Sequence, residues 1–112
     1  MQLNIWRPLT EPVRVAPLAI VDGRSVPGRD LINCQLVYRD RIGDIYEVKH
    51  NPDHRWFYFS EMKKGEVILI KGYDSLLDGR TRFTPYTAFH HPDTTDDDPL
   101  RKSIEVRTFI NF

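Results

Sequence analysis

Ser103-Ile104-Glu105-Val106-Arg107-Thr108-Phe109-Ile110-Asn111-Phe112, with Arg101 just ahead of it, alternates polar and apolar residues. Successive side chains of a strand leave opposite faces. Ile104, Val106, Ile110 and Phe112 therefore point one way, and Arg101, Ser103, Glu105 and Arg107 the other. The charged face has two readings. It is the solvated side of an antiparallel sheet, or it lines an anion site. In the second reading an arginine fork takes a carboxylate and a serine hydroxyl two residues on lies on the same side.

Working back from this segment, Pro and Gly break the chain often, at Pro8, Pro12, Pro17, Pro27-Gly28, Gly43, Asn51-Pro52, Gly65, Asp78-Gly79, Pro85, Pro92 and Pro99. The short runs between them are rich in β-branched and aromatic residues. Seven strands are predicted, over 4–6, 18–21, 44–50, 56–60, 66–73, 84–90 and 103–112, with a helical turn or two over 29–37. The spacing implies an all-β sandwich or barrel.

The 112 residues carry 16 Lys+Arg against 16 Asp+Glu, which fits one domain, 1–112, and provides no basic footprint for nucleic acid or an anionic membrane. No apolar run approaches the length of a membrane span, and the polar start is not a signal peptide, so the expected location is cytoplasmic. One cysteine, Cys34, allows no internal disulfide. Stability must come from packing.

Trp6 and the run Trp56-Phe57-Tyr58-Phe59 read as core and rim packing, since no basic groove accompanies them. Asp74-Ser75 and Asp78-Gly79 carry turn chemistry. Of the four histidines, His91-Pro92-Asp93 spells a His-x-Asp pair interrupted by proline, and Asp53-His54 reads as a turn with a surface imidazole. No Ser/His/Asp, Cys/His or phosphate-loop constellation is present.

Several strings are more specific: Asn4-Ile5-Trp6-Arg7-Pro8-Leu9 followed by Pro17-Leu18-Ala19; Tyr46 with Asn51-Pro52 and His54-Arg55-Trp56; Lys71-Gly72-Tyr73-Asp74-Ser75 with Asp78-Gly79-Arg80; Thr87-Ala88-Phe89; and Arg101-Lys102-Ser103 through Arg107. In this order they resemble, from end to end of the chain, the fungal AsaB-like hydroxylase/desaturase family. That family includes gibberellin desaturase and the 7α-cephem-methoxylase component CmcJ. The resemblance implies an Fe(II)/2-oxoglutarate-dependent oxidoreductase on a double-stranded β-helix, a cupin-like jelly roll. Its substrate would be a small secondary metabolite, hydroxylated or desaturated at an unactivated carbon. This chain matches the C-terminal half of such proteins, so a partial jelly roll, truncated on its N-terminal side, is expected.

The resemblance also assigns roles. Arg101 corresponds to the bidentate partner of the distal carboxylate of 2-oxoglutarate, Ser103 to a second donor, and Arg107 to an alternative or supporting cation. The family's iron-binding His-x-Asp pair belongs upstream of the Asn4–Pro8 segment. Tyr86 stands where the third ligand, a histidine, is expected, and His90 is the alternative. A phenol must lose a proton with an ordinary pKa near 10 before it binds iron(II) strongly. The isolated chain is therefore expected to show no oxygenase turnover. The alternative reading is a non-catalytic remnant or a β domain that binds a small molecule or a protein. Strands lacking their partners are also expected to leave edges and an apolar surface through which the chain self-associates.

Overall fold

The computed structural model describes residues 1–112, and nearly all of its regular structure is strand. In chain order the strands are β1 (Gln2–Pro8), β2 (Leu18–Val21), β3 (Leu31–Val37), β4 (Ile42–Val48), β5 (Trp56–Tyr58), β6 (Ile68–Tyr73), β7 (Tyr86–Ala88) and β8 (Ser103–Phe109). Two three-stranded sheets, ordered β6-β1-β8 and β5-β2-β7, are accompanied by a separate β3-β4 hairpin inserted between β2 and β5. All pairings are antiparallel. From β5 onward the chain alternates between the two sheets with each strand, which is the strand exchange of a jelly roll. No helix is long and apolar enough to cross a membrane.

The helical turn predicted over 29–37 is instead a three-residue 3-10 turn, Gly28–Asp30, leading into β3. The local pattern there is weak, and tertiary pairing decides the outcome: β3 runs in unbroken register with β4, from Leu31 opposite Val48 to Val37 opposite Ile42. Turn chemistry at 74–80 is as the sequence implies. Asp74 Oδ1 accepts from the Leu76 N–H, Asp78 Oδ1 accepts from the Arg80 N–H, and Gly79 adopts φ +93°.

The core lies between the two three-stranded sheets. Trp6, Val13, Leu18, Met62, Ile68 and Ile70 form one buried cluster, with Ile20 and Tyr86 packed against it. Trp6 behaves as expected, whereas Trp56, Phe57, Tyr58 and Phe59 lie at the rim and are each at least 40% exposed.

Strand β8 is turned inside out relative to a typical amphipathic strand. Cross-strand partners share a face. The register Pro8↔Ser103, Trp6↔Glu105 and Asn4↔Arg107 therefore sets the polar residues of β8 beside the buried side chains of β1. Its apolar residues point outward: Ile104 is 48% and Val106 51% exposed, alongside Ile5 and Leu69. The total accessible surface is 8335 Å². A folded monomer of this mass exposes about 6,400 Å². The excess fits an apolar face left open.

The turn after β4 also differs from expectation. His54 is a buried imidazole with 2% of its side chain exposed, and its Nε2 lies 2.8 Å from Asp30 Oδ2. Asn51 Nδ2 donates to the same oxygen, and the His54 N–H donates to the Asn51 carbonyl, which closes the turn and aims the ring inward. This cluster ties the chain entering β3 to the chain leaving β4 and so closes the base of the hairpin.

Candidate functional site

The inner faces of the two sheets meet at a polar triad. Tyr86, the first residue of β7, donates its hydroxyl proton to Glu105 Oε1 on β8 at 2.8 Å. Asn4 on β1 donates through Nδ2 to the same carboxylate oxygen at 2.7 Å and to the Tyr86 hydroxyl at 3.0 Å. Asn4 Oδ1 in turn accepts from Gln2 Nε2. Asn4 is a buried polar group on a strand whose other inward side chains are Trp6 and Pro8, and the triad satisfies its amide. Burial pushes the Tyr86 phenol above its ordinary pKa, and the Glu105 carboxylate pushes it further. At neutral pH this position holds a neutral hydroxyl, already committed as a donor.

Arg101 and Ser103 lie at the other end of the inner face. The Arg101 guanidinium sits 5.5 Å from the Trp6 ring centre, in cation–π range. Its Nη1 is buried without a hydrogen-bond partner, the only such side-chain atom in the chain. Ser103 is half-buried opposite Pro8. The hydrogen bond from Leu9 N–H to the Lys102 carbonyl, and that from Lys102 N–H to Thr10 Oγ1, hold this end of β8 against the segment after β1.

Arg107 is not brought together with Arg101. Six residues separate them, and the strand from Ser103 to Arg107 alone spans about 13 Å of backbone. Arg107 lines a separate cleft of about 550 Å³, with Asn4 and Tyr86 at its floor and Tyr46, Phe83 and Trp56 on its walls. The β3-β4 hairpin supplies one wall through Leu31, Asn33, Asp44, Ile45, Tyr46 and Val48. His90 lies just beyond the end of β7, exposed to solvent.

The sequence resemblance implies two groups, a 2-oxoglutarate carboxylate and iron(II). A carboxylate fits at Arg101, where a buried guanidinium N–H lacks an acceptor. Iron(II) does not fit these residues. No three His, Cys, Asp or Glu side chains converge, and the Tyr86 hydroxyl is engaged by Glu105 and Asn4. His91, the other end of the sequence's His-x-Asp string, is occupied too: its Nδ1 accepts from the Asp93 N–H and its Nε2 lies 2.9 Å from the Tyr58 hydroxyl.

Sequence reasoning missed Asn4 and Glu105 as partners of Tyr86, and it missed the Asp30–His54–Asn51 cluster. For Asn4 a signal existed, because an amide two residues before Trp6 occupies an inward phase of β1. Glu105 gave no such signal, since its role depends on which face of β8 turns toward β7.

A family model described as Oxidoreductase/YMDC permease-like domain matches residues 1–111. The chain is 42% identical to the hydroxylase/desaturase asaB of Aspergillus flavus, with 98% of this chain and 54% of that protein aligned. It is 40% identical to the hydroxylase/desaturase efuI of Hormonema carpetanum, with 96% of this chain and 39% of that protein aligned. Among solved structures, the iron and alpha-ketoglutarate-dependent endoperoxidase NvfI superposes with a TM-score of 0.87 at 34% identity, covering 95% of this chain and 40% of its own. The chain thus spans between 39% and 54% of the length of these relatives.

Proposed function

This chain belongs to the oxidoreductase family whose model spans residues 1–111, with fungal hydroxylase/desaturases as its homologues; from that premise we propose that residues 1–112 form one domain that holds the 2-oxoglutarate of an oxygenase acting on a small secondary metabolite. The observation that carries this reading is the orphaned Nη1 of Arg101. A buried guanidinium group without an acceptor is costly, and a ligand carboxylate removes that cost with a charge-assisted hydrogen bond. Trp6 stacks against the guanidinium and restricts its orientation, so less freedom is lost on binding. Ser103, two residues on and on the same face, offers its hydroxyl as a second donor. 2-Oxoglutarate, when bound in an oxygenase, supplies two electrons through its decarboxylation.

Iron(II) is the second cofactor of this class, and the donor set here does not accommodate it, so the proposal assigns no turnover to these 112 residues alone. Neither Tyr86 nor His90 is given a ligand role. A second reading, a non-catalytic binding domain, is favoured specifically by the Tyr86–Glu105–Asn4 triad, a hydrogen-bonded network at the residue where the resemblance implies an iron ligand. The outer face bearing Ile5, Leu69, Ile104 and Val106 is the surface through which the chain self-associates. The cytoplasm, where Cys34 remains a free thiol, is the compartment this reading assigns.

The test is a titration of the chain with 2-oxoglutarate, monitored by tryptophan fluorescence, since Trp6 lies under the anchoring guanidinium. Saturable quenching that is lost in Arg101→Ala supports the reading. Identical responses from the parent chain and the variant reject it.

A further inference from the structure

We propose that the cleft lined by Arg107 is a metal-independent binding site for a small aromatic or unsaturated carboxylic acid, with Arg107 pairing with the carboxylate and Tyr46 and Phe83 packing against the planar part. Glu105 lies two residues from Arg107 on the same face of β8 and would be the natural counter-ion, yet its Oε1 accepts hydrogen bonds from Asn4 Nδ2 and the Tyr86 hydroxyl and no ion pair to Arg107 forms. No carboxylate of the chain lies within ion-pairing distance of Arg107. The one carboxylate in the lining, Asp44, is on the opposite hairpin wall and accepts from Gln35 Nε2 at 3.3 Å. Arg107 therefore presents an uncommitted, planar two-donor fork to the cleft, the geometry that suits a carboxylate.

The walls define the remainder of the ligand. Tyr46 and Phe83 meet edge to face with ring centres 5.0 Å apart, one from the hairpin and one from the segment before β7. Arg82 lies 5.4 Å from the Phe83 ring centre and Tyr73 packs at 5.7 Å, so Phe83 is held in place before any ligand arrives. A preset aromatic corner favours a flat, rigid ligand over a flexible chain, which would lose more freedom on binding. About 550 Å³ is ample for a single-ring or two-ring acid. Tyr86 and Asn4 at the floor are saturated by each other and by Glu105, so the charge contact falls to Arg107 alone.

Arg101 does not line this cleft, so failure here and failure of the 2-oxoglutarate site are separable. The probe pair is cinnamate and cinnamamide, alike in shape and differing in charge, titrated calorimetrically in buffer containing a chelator, with 2-oxoglutarate alongside. Cinnamate is expected to bind about tenfold more tightly than the amide. Arg107→Gln should abolish that preference, Arg107→Lys should keep part of it, and Arg101→Ala should leave it intact while removing 2-oxoglutarate binding. Phe83→Ala should weaken acid and amide equally. Equal binding of the two probes, no binding of either, or an acid preference that survives Arg107→Gln would overturn the proposal.

Discussion

Tyr86 on β7 and Glu105 on β8 share a 2.8 Å hydrogen bond that joins the two sheets across their inner faces. Asn4 completes the junction from β1. One consequence is chemical: a phenol that already donates to a carboxylate is a poor candidate for metal ligation. Another is structural, because these bonds are the polar counterpart of the Trp6–Ile70 core and fix the spacing of the sheets.

Removing the Tyr86 hydroxyl by Tyr86→Phe leaves Asn4 still bonded to Glu105, so the expected loss of stability is small, about 1 kcal/mol. Glu105→Ala strips the acceptor from two donors, one of them on buried Asn4, and should cost more, about 1–3 kcal/mol. Urea unfolding of the two variants checks the order. If Tyr86→Phe proves the more damaging, the triad is not organised around Glu105.

The raised pKa of Tyr86 has a definite sign. The folded state holds the phenolic proton more tightly than the unfolded chain. Its stabilising contribution is therefore complete below the ordinary phenol value near 10 and is lost as pH rises through the folded value. In an ultraviolet titration, the signal removed by Tyr86→Phe should be that of a late-titrating tyrosine. Glu105→Gln should bring it to lower pH.

Asp30 has the opposite sign. Its carboxyl is held below the ordinary range, first by the hydrogen bond from Asn51 and then by His54. The stability it contributes is present above about pH 4 and declines as pH falls toward the folded value. Asp30→Asn should flatten this part of the acid-unfolding profile. Hydrogen exchange at the β3-β4 hairpin should accelerate in the same variant, since the Asp30–His54 contact fastens the base of that hairpin.

Ile104 and Val106 predict association through the outer face of β8, where they are 48% and 51% exposed. Val106→Lys combined with Leu69→Lys should shift the chain toward monomer in sedimentation experiments with little change in unfolding midpoint, because neither side chain is buried. By contrast, Ile70→Ala, at a position 1% exposed, should cost about 2–5 kcal/mol.

The all-β character was legible because Pro and Gly leave only short β-rich runs, and each of the seven predicted runs overlaps an observed strand. β3 was not legible, since its identity depends on pairing with β4 rather than on its own pattern. The alternation of β8 was read correctly as one polar and one apolar face. Which face turns toward the other sheet was not in the sequence, because it depends on the partners of β1: Trp6 aligns with Glu105, so the charged residues share the inner face, where Glu105 and Arg107 stay exposed. The same logic hid His54. Its immediate neighbours read as an exposed turn, while its partner Asp30 lies twenty-four residues away.

The most direct test of the central claim is calorimetric titration of the 112-residue chain with 2-oxoglutarate, with and without iron(II) under anaerobic conditions, for the parent, Arg101→Ala and Tyr86→His. The account predicts binding of the parent with a Kd on the order of 1 mM, abolished by Arg101→Ala and not tightened by iron(II). Absence of binding, or binding that persists without the Arg101 guanidinium, would contradict it.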